Sequence, residues 1–267
     1  MVRKLIKYDF ASYLRLLLPV QLILLGIAVL NRFIQLFEDT KSTVYNIIFT
    51  SSVVLYVIAI IVCLVLTTIV AVVRFYQGMY SNEGYLSHTL PVTPTQHILS
   101  KLIVSMLFVL GSLCAVFVSA CIATLGELNI ELFKAGFFLL KRFDSFVGGY
   151  AFLYAIEAVL MLLSYTVMGL LMLYFCISVG QLAKKKKILL AFGVFFALYV
   201  LWQIVGTILI IIVSTNSVVR EWLSSLMRHA TVFLHVSLCG SFILFTVLSI
   251  IFFACTRYIM SKKLNLT

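Results

Sequence analysis

Six long stretches of the chain are apolar almost without interruption, and short polar segments separate them. A run of about 18 or more nearly uncharged residues is what a helix needs to cross a hydrocarbon core of ~30 Å. The pattern predicts an all-α membrane protein with six transmembrane helices, over about 14–37, 45–73, 94–125, 150–179, 188–214 and 231–260. Three shorter stretches mix apolar and charged positions. Residues 1–13 set Arg3, Lys4, Lys7 and Asp9 among Leu5, Ile6, Tyr8, Phe10 and Tyr13. That fits either an amphipathic interfacial helix or a charged lead-in to the first span. In the connection 126–149, Ile130, Phe133, Phe137 and Leu140 recur at helical spacing beside Lys134 and Lys141, which predicts an interfacial helix. Residues 215–230, with Val219, Trp222, Leu223 and Leu226, are a further short amphipathic candidate.

Composition narrows the class. Of 267 residues, 63% are hydrophobic and 11% charged, more apolar surface than a soluble domain of this length can hide. The chain is therefore expected to be a single transmembrane domain, 1–267. Arg3, Lys4 and Lys7 precede the first apolar run as they would in a signal peptide. The run continues to about Phe37 with no small-residue cleavage site, so it is read as a membrane helix.

Charge predicts the orientation. With the N-terminus inside, 13 of the 20 basic residues fall on inner segments: Arg3, Lys4, Lys7, Arg15, Arg74, Lys101, Lys184 to Lys187, Arg257, Lys262 and Lys263. Only Asp9 and Glu83 oppose them there, and the outer segments are nearly neutral. The positive-inside rule then puts both termini in the cytoplasm. The formal net charge of +11 needs no nucleic-acid partner to explain it. The four lysines read as a topology signal that also meets anionic lipid.

The most polar long break is Arg74 to Leu102, which that orientation places in the cytoplasm. Thr93, Pro94 and Gln96 form a helix start: an N-cap, a proline at the first helical position and a capping-box glutamine. A helix from Pro94 to about Leu125 is roughly 45–50 Å long at 1.5 Å per residue, so it must project beyond the bilayer. Ahead of it, Ser81 or Asn82 can cap a short helix with Glu83 near its positive end. Leu90-Pro91 must end that helix. Two turns, Glu83 to Thr89, are marginal alone in water and call for a docking partner. Tyr85, Leu86 and Leu90 are the apolar residues they offer.

Glu157 is the only acidic residue well inside a predicted span, roughly 10 Å into its outer half. Tyr150, Tyr154, Glu157, Met161, Tyr165, Met168 and Met172 recur at i, i+3 and i+4. This stripe is either the lining of a translocation path for an amphipathic substrate or a helix–helix seam. Gly111, Ala115, Ser119 and Ala123, spaced by four, are small residues that let membrane helices pack closely. The six cysteines lie in apolar segments without a C-x-x-C pair and read as packing residues. His88, His97, His229 and His235 show no ligand spacing, so no metal site is expected. Neither a G-x-x-x-x-G-K-[ST] phosphate loop, H-E-x-x-H nor G-x-S-x-G occurs, so no catalytic residue and no bound cofactor are expected.

The opening KLIKYDFASYLRLLLPVQLILLGIAVLNR and the stretch YSNEGYLSHTLPVTPTQHILSKL carry a resemblance. The chain resembles the permease subunits of bacterial ABC transporters of the six-helix exporter class, in particular the stand-alone permeases common in Firmicutes. In such permeases an acidic-Gly-Tyr-Leu segment followed by Thr-Leu-Pro-Val sits between spans two and three. Here these are Glu83, Gly84, Tyr85 and Leu86, then Thr89, Leu90, Pro91 and Val92. The matching motif covers about a tenth of the chain. It implies that 81–93 is a coupling segment seated in a groove of a cytoplasmic ABC ATPase, two copies of which serve two permease chains, identical or different. ATP and Mg would then sit on the ATPase, and the location would be a bacterial plasma membrane, crossed many times. The alternatives are a non-transporting scaffold or sensor subunit and, behind it, a secondary transporter or channel. More intramembrane charge or broken helices would mark the latter.

Overall fold

The computed structural model describes residues 2–36, 43–81, 93–124, 127–183 and 185–262, and every regular element among them is a helix. In chain order these are α1 (Val2–Gln35), α2 (Thr43–Tyr80), α3 (Pro94–Ala123), α4 (Glu127–Phe146), α5 (Ala151–Gly180), α6 (Lys187–Thr215), α7 (Ser217–Arg228) and α8 (Ala230–Lys262). Six of them, all but α4 and α7, are long and apolar enough to cross a membrane. The predicted spans thus appear as helices at their expected places. Residues 2–13 are continuous with the first span in one unbroken helix, α1. The helices predicted in the two longer connections are α4 and α7.

Local chemistry explains the boundaries. At the start of α3, the Thr93 N–H donates to Gln96 Oε1 at 3.2 Å, the backward arm of the expected capping box, and Pro94 opens the helix. Asn216 caps α7, its Oδ1 accepting from the Val218 N–H at 3.0 Å. Along α7 the apolar Val218, Val219, Trp222, Leu223 and Leu226 share one face, and Arg220, Glu221, Ser224 and Arg228 the other. Between α4 and α5 the chain turns through Gly148 (φ 65) and Gly149 (φ 85), a left-handed conformation that glycine takes without a Cβ clash. There Asp144 accepts from the Ala151 N–H at 3.3 Å, placing a carboxylate at the positive end of α5.

The fold divides into two compact units, 1–139 and 140–267. In the first, α1 and α3 run parallel with α2 antiparallel against both. The register is fixed by Tyr13 beside Ser105 (2.7 Å) at one end, and by Asn31 beside Ser52 (3.1 Å) and Tyr56 beside Ser119 (2.9 Å) at the other. Leu24, Ala28, Tyr56, Cys63 and Ala123 form a buried apolar cluster between these hydroxyl contacts. In the second unit α5 and α8 run parallel, in register from Tyr154 and Thr231 (2.9 Å) to Phe175 and Phe252 (ring centroids 5.6 Å). α6 lies along α5. None of its residues is buried, and it is apolar all round, as suits a helix whose solvent is lipid.

Candidate functional site

Each unit holds a largely buried carboxylate near the start of its first long helix. In the first unit it is Asp9. Lys101 Nζ lies 3.2 Å from Asp9 Oδ1, and the Ser100 hydroxyl donates to Oδ2 at 3.0 Å, so both oxygens are engaged. The Lys101 side chain is 7% exposed and that of Asp9 20%. A charge withdrawn this far from water is tolerated only when paired and hydrogen-bonded. Next to it Tyr13 stacks on Phe108 at 5.3 Å and bonds the Ser105 hydroxyl. From α2, Gly78 completes the seat. A Cβ there would collide with Nζ and Cε of Lys101. The pair therefore joins α1 to α3, and Gly78 lets the end of α2 pack against Lys101, on either side of segment 82–92.

That segment carries most of the expected coupling residues. Asn82, Glu83, Gly84, Tyr85, Leu86, Thr89, Leu90 and Pro91 lie outside the described residues, as does the short helix expected from Glu83 to Thr89. Ser81 is described. It stands just past the end of α2, its hydroxyl donating to the Gln77 carbonyl at 2.6 Å. The helices that flank the segment have 38 and 30 residues, about 57 and 45 Å, and both exceed a ~30 Å hydrocarbon core. Of the small residues expected to pack α3, Ser119 and Ala123 are buried, Ala115 is half-buried and Gly111 is exposed. The buried hydroxyls Ser105, Ser112 and Ser119, seven apart, mark the seam better.

In the second unit the carboxylate is Glu157. Its Oε1 lies 2.7 Å from His235 Nδ1 on α8, with side-chain exposures of 13% for Glu157 and 50% for His235. Its other oxygen, Oε2, is buried and meets no hydrogen-bond donor among the described residues. Cys239, one turn beyond His235, completes a group whose ligand atoms all lie within 4.8 Å of one another. Tyr154 closes the group on the side of the helix starts. Its hydroxyl donates to the Thr231 carbonyl at 2.9 Å, and its ring stands edge-on to His235 at 6.3 Å and to Phe143 at 6.2 Å.

The rest of the Glu157 stripe divides. Tyr165 is exposed yet meets Phe245 edge-on at 5.4 Å, Met161 and Met168 are half-buried, and Tyr150, at the start of α5, is exposed. Tyr154, Glu157 and Tyr165 thus each contact α8. His235 and Cys239 are functional candidates that ligand spacing along the sequence alone does not mark. Their signal was H-x-x-x-C, two ligand types one helical turn apart inside a span.

These features define an all-α, multi-pass membrane protein. No protein-family model, curated protein or solved structure matches the chain.

Proposed function

We propose that the chain is the transmembrane subunit of an ATP-driven exporter of the ABC class, in a bacterial plasma membrane with both termini cytoplasmic. A separate cytoplasmic ATPase would drive it, and a second permease chain would complete the translocation path. The observation that carries the reading is the pairing of sequence with geometry around segment 82–92. The acidic-Gly-Tyr-Leu and Thr-Leu-Pro-Val motifs stand between α2, the longest helix at 38 residues, and α3, which like the other span helices is longer than the hydrocarbon core. The ends of those helices are tied to each other and to α1 through Lys101, Asp9 and Gly78. A push on the segment would reach three spans as one body. ATP and Mg stay on the partner in this mechanism, and this chain supplies levers and path.

The test is co-purification in mild detergent from the native host, read by mass spectrometry. The intact chain should bring down an ABC ATPase in equal amount. Tyr85→Ala with Leu86→Ala should release the ATPase while the permease stays in the membrane. Recovery of the folded chain without any ATPase would overturn the reading and favour a scaffold or sensor subunit.

A further inference from the structure

We infer that Glu157, His235 and Cys239 form a binding site for a divalent cation of the Zn2+ class, clamping α5 to α8. The site goes beyond the transport reading and stands whether or not the chain couples to an ATPase.

Donor chemistry is the first argument. An imidazole, a thiolate and a carboxylate are the three side chains that Zn2+ takes in four-coordinate sites, and together they exclude the all-oxygen sites of Mg2+ and Ca2+. Geometry is the second. Ligand atoms around tetrahedral Zn2+ stand about 3.3–3.7 Å apart, given bonds of about 2.0–2.3 Å. The three ligand atoms here already lie within 4.8 Å of one another. Loading the site needs the 2.7 Å contact of Glu157 and His235 to open slightly. Rotamer shifts on two helices already held in register suffice for that. A fourth position is left for water or another ligand.

Charge is the third argument. Zn2+ with one carboxylate, one thiolate and a neutral imidazole carries no net charge. That is the state a low-dielectric segment tolerates best. The fourth is the half-satisfied Glu157. A buried carboxylate oxygen without a donor carries a desolvation cost that none of the described residues offsets. A cation in contact with the carboxylate would offset it. The site lies near a helix end: His235 stands five residues into α8, about 7–8 Å from its start, just after the charged helix α7.

The experiment uses the full chain, without a histidine tag, stripped with chelator and held in nanodiscs. Titration with Co2+ should give one equivalent of tetrahedral d–d absorption with a thiolate-to-metal charge-transfer band, and Zn2+ should displace both. Cys239→Ser should abolish the charge-transfer band, whereas Cys121→Ser should leave it intact. Glu157→Gln and His235→Gln should weaken binding by more than the about 10–100-fold typical of changes to groups that merely orient a ligand. Zn2+ should raise the melting temperature of the wild type but not of Glu157→Gln, as expected of a ligand that binds only the folded site. The inference fails if the intact wild type gives no thiolate band, or if the band survives in Cys239→Ser. Because the wild type alone can refute it, a variant that fails to fold does not shelter it.

Discussion

The two units place the same chemical group in corresponding positions and complete it differently. Both pack two long helices in parallel, and both bury a carboxylate near the start of the first helix against a basic residue of the second. Asp9 meets an ammonium and a hydroxyl, one for each oxygen, with glycine on a third helix making room. Glu157 meets one imidazole and, among the described residues, leaves its other oxygen unbonded. A completed pair has nothing further to bind and can only hold its helices. An incomplete one, with a thiol at hand near a helix end, is a place for a ligand. The comparison separates a fastening from a site by counting what each oxygen touches.

The largest effect should come from breaking the fastening. Asp9→Asn leaves the Lys101 ammonium buried without a counter-charge. Removing one partner of a buried pair costs about 3–5 kcal/mol, and Asp9 is exposed enough to place this loss near about 3 kcal/mol. Thermal or SDS-induced unfolding of the purified chain should show the loss. Lys101→Met on top of Asp9→Asn should restore much of it, because the orphaned charge is then gone. If the double variant is no more stable than Asp9→Asn, the pair is not what locks this end of the unit.

A smaller effect should follow from crowding the same seat. Gly78→Ala puts a methyl group where Nζ and Cε of Lys101 lie, so the lysine must leave its position against Asp9. Overpacking of this kind costs about 1–3 kcal/mol, and the flexible end of a lysine keeps it toward about 1–2 kcal/mol. The cost should vanish in a Lys101→Met background if it acts only through the lysine. An undiminished cost there would mean that the close approach of helix backbones is what matters at Gly78.

The helices were legible in the sequence and the pairs were not, for a physical reason. A span is announced by an unbroken apolar run, and a cap by the residue types at one turn, as at Thr93, Pro94 and Gln96 or at Asn216. Those signals are local. The Asp9–Lys101 pair joins residues 92 positions apart. The Glu157 group likewise needs α5 and α8 in one particular register before its three ligands meet. In an all-apolar span nearly any face can be buried, so the pattern does not say which one is. Of the small-residue stripe, Ser119 and Ala123 are buried within the chain and Gly111 is exposed, while the buried hydroxyls follow Ser105, Ser112 and Ser119. His235 and Cys239 stood at i, i+4 in plain view, but the third ligand lies on another helix. The coupling residues 82–92 were read by resemblance and capping alone, and they lie outside the described residues.

The sharpest form of the comparison is to make at Glu157 the change already made at Asp9. Glu157→Gln replaces a carboxylate by an amide of the same shape. In the first unit that change strands a buried lysine without its counter-charge. In the second it strands a histidine. That imidazole is half-exposed, and the glutamine oxygen can still accept from its N–H. The buried Oε2 loses no hydrogen-bond partner among the described residues, because it has none there. The metal-free protein should therefore lose less than about 1 kcal/mol, the order of one hydrogen bond in a membrane helix pair. Unfolding of the chelated variant beside chelated wild type measures this directly. A loss as large as that of Asp9→Asn would mean that Glu157 is a fastening too, and that its free oxygen is no invitation to a ligand.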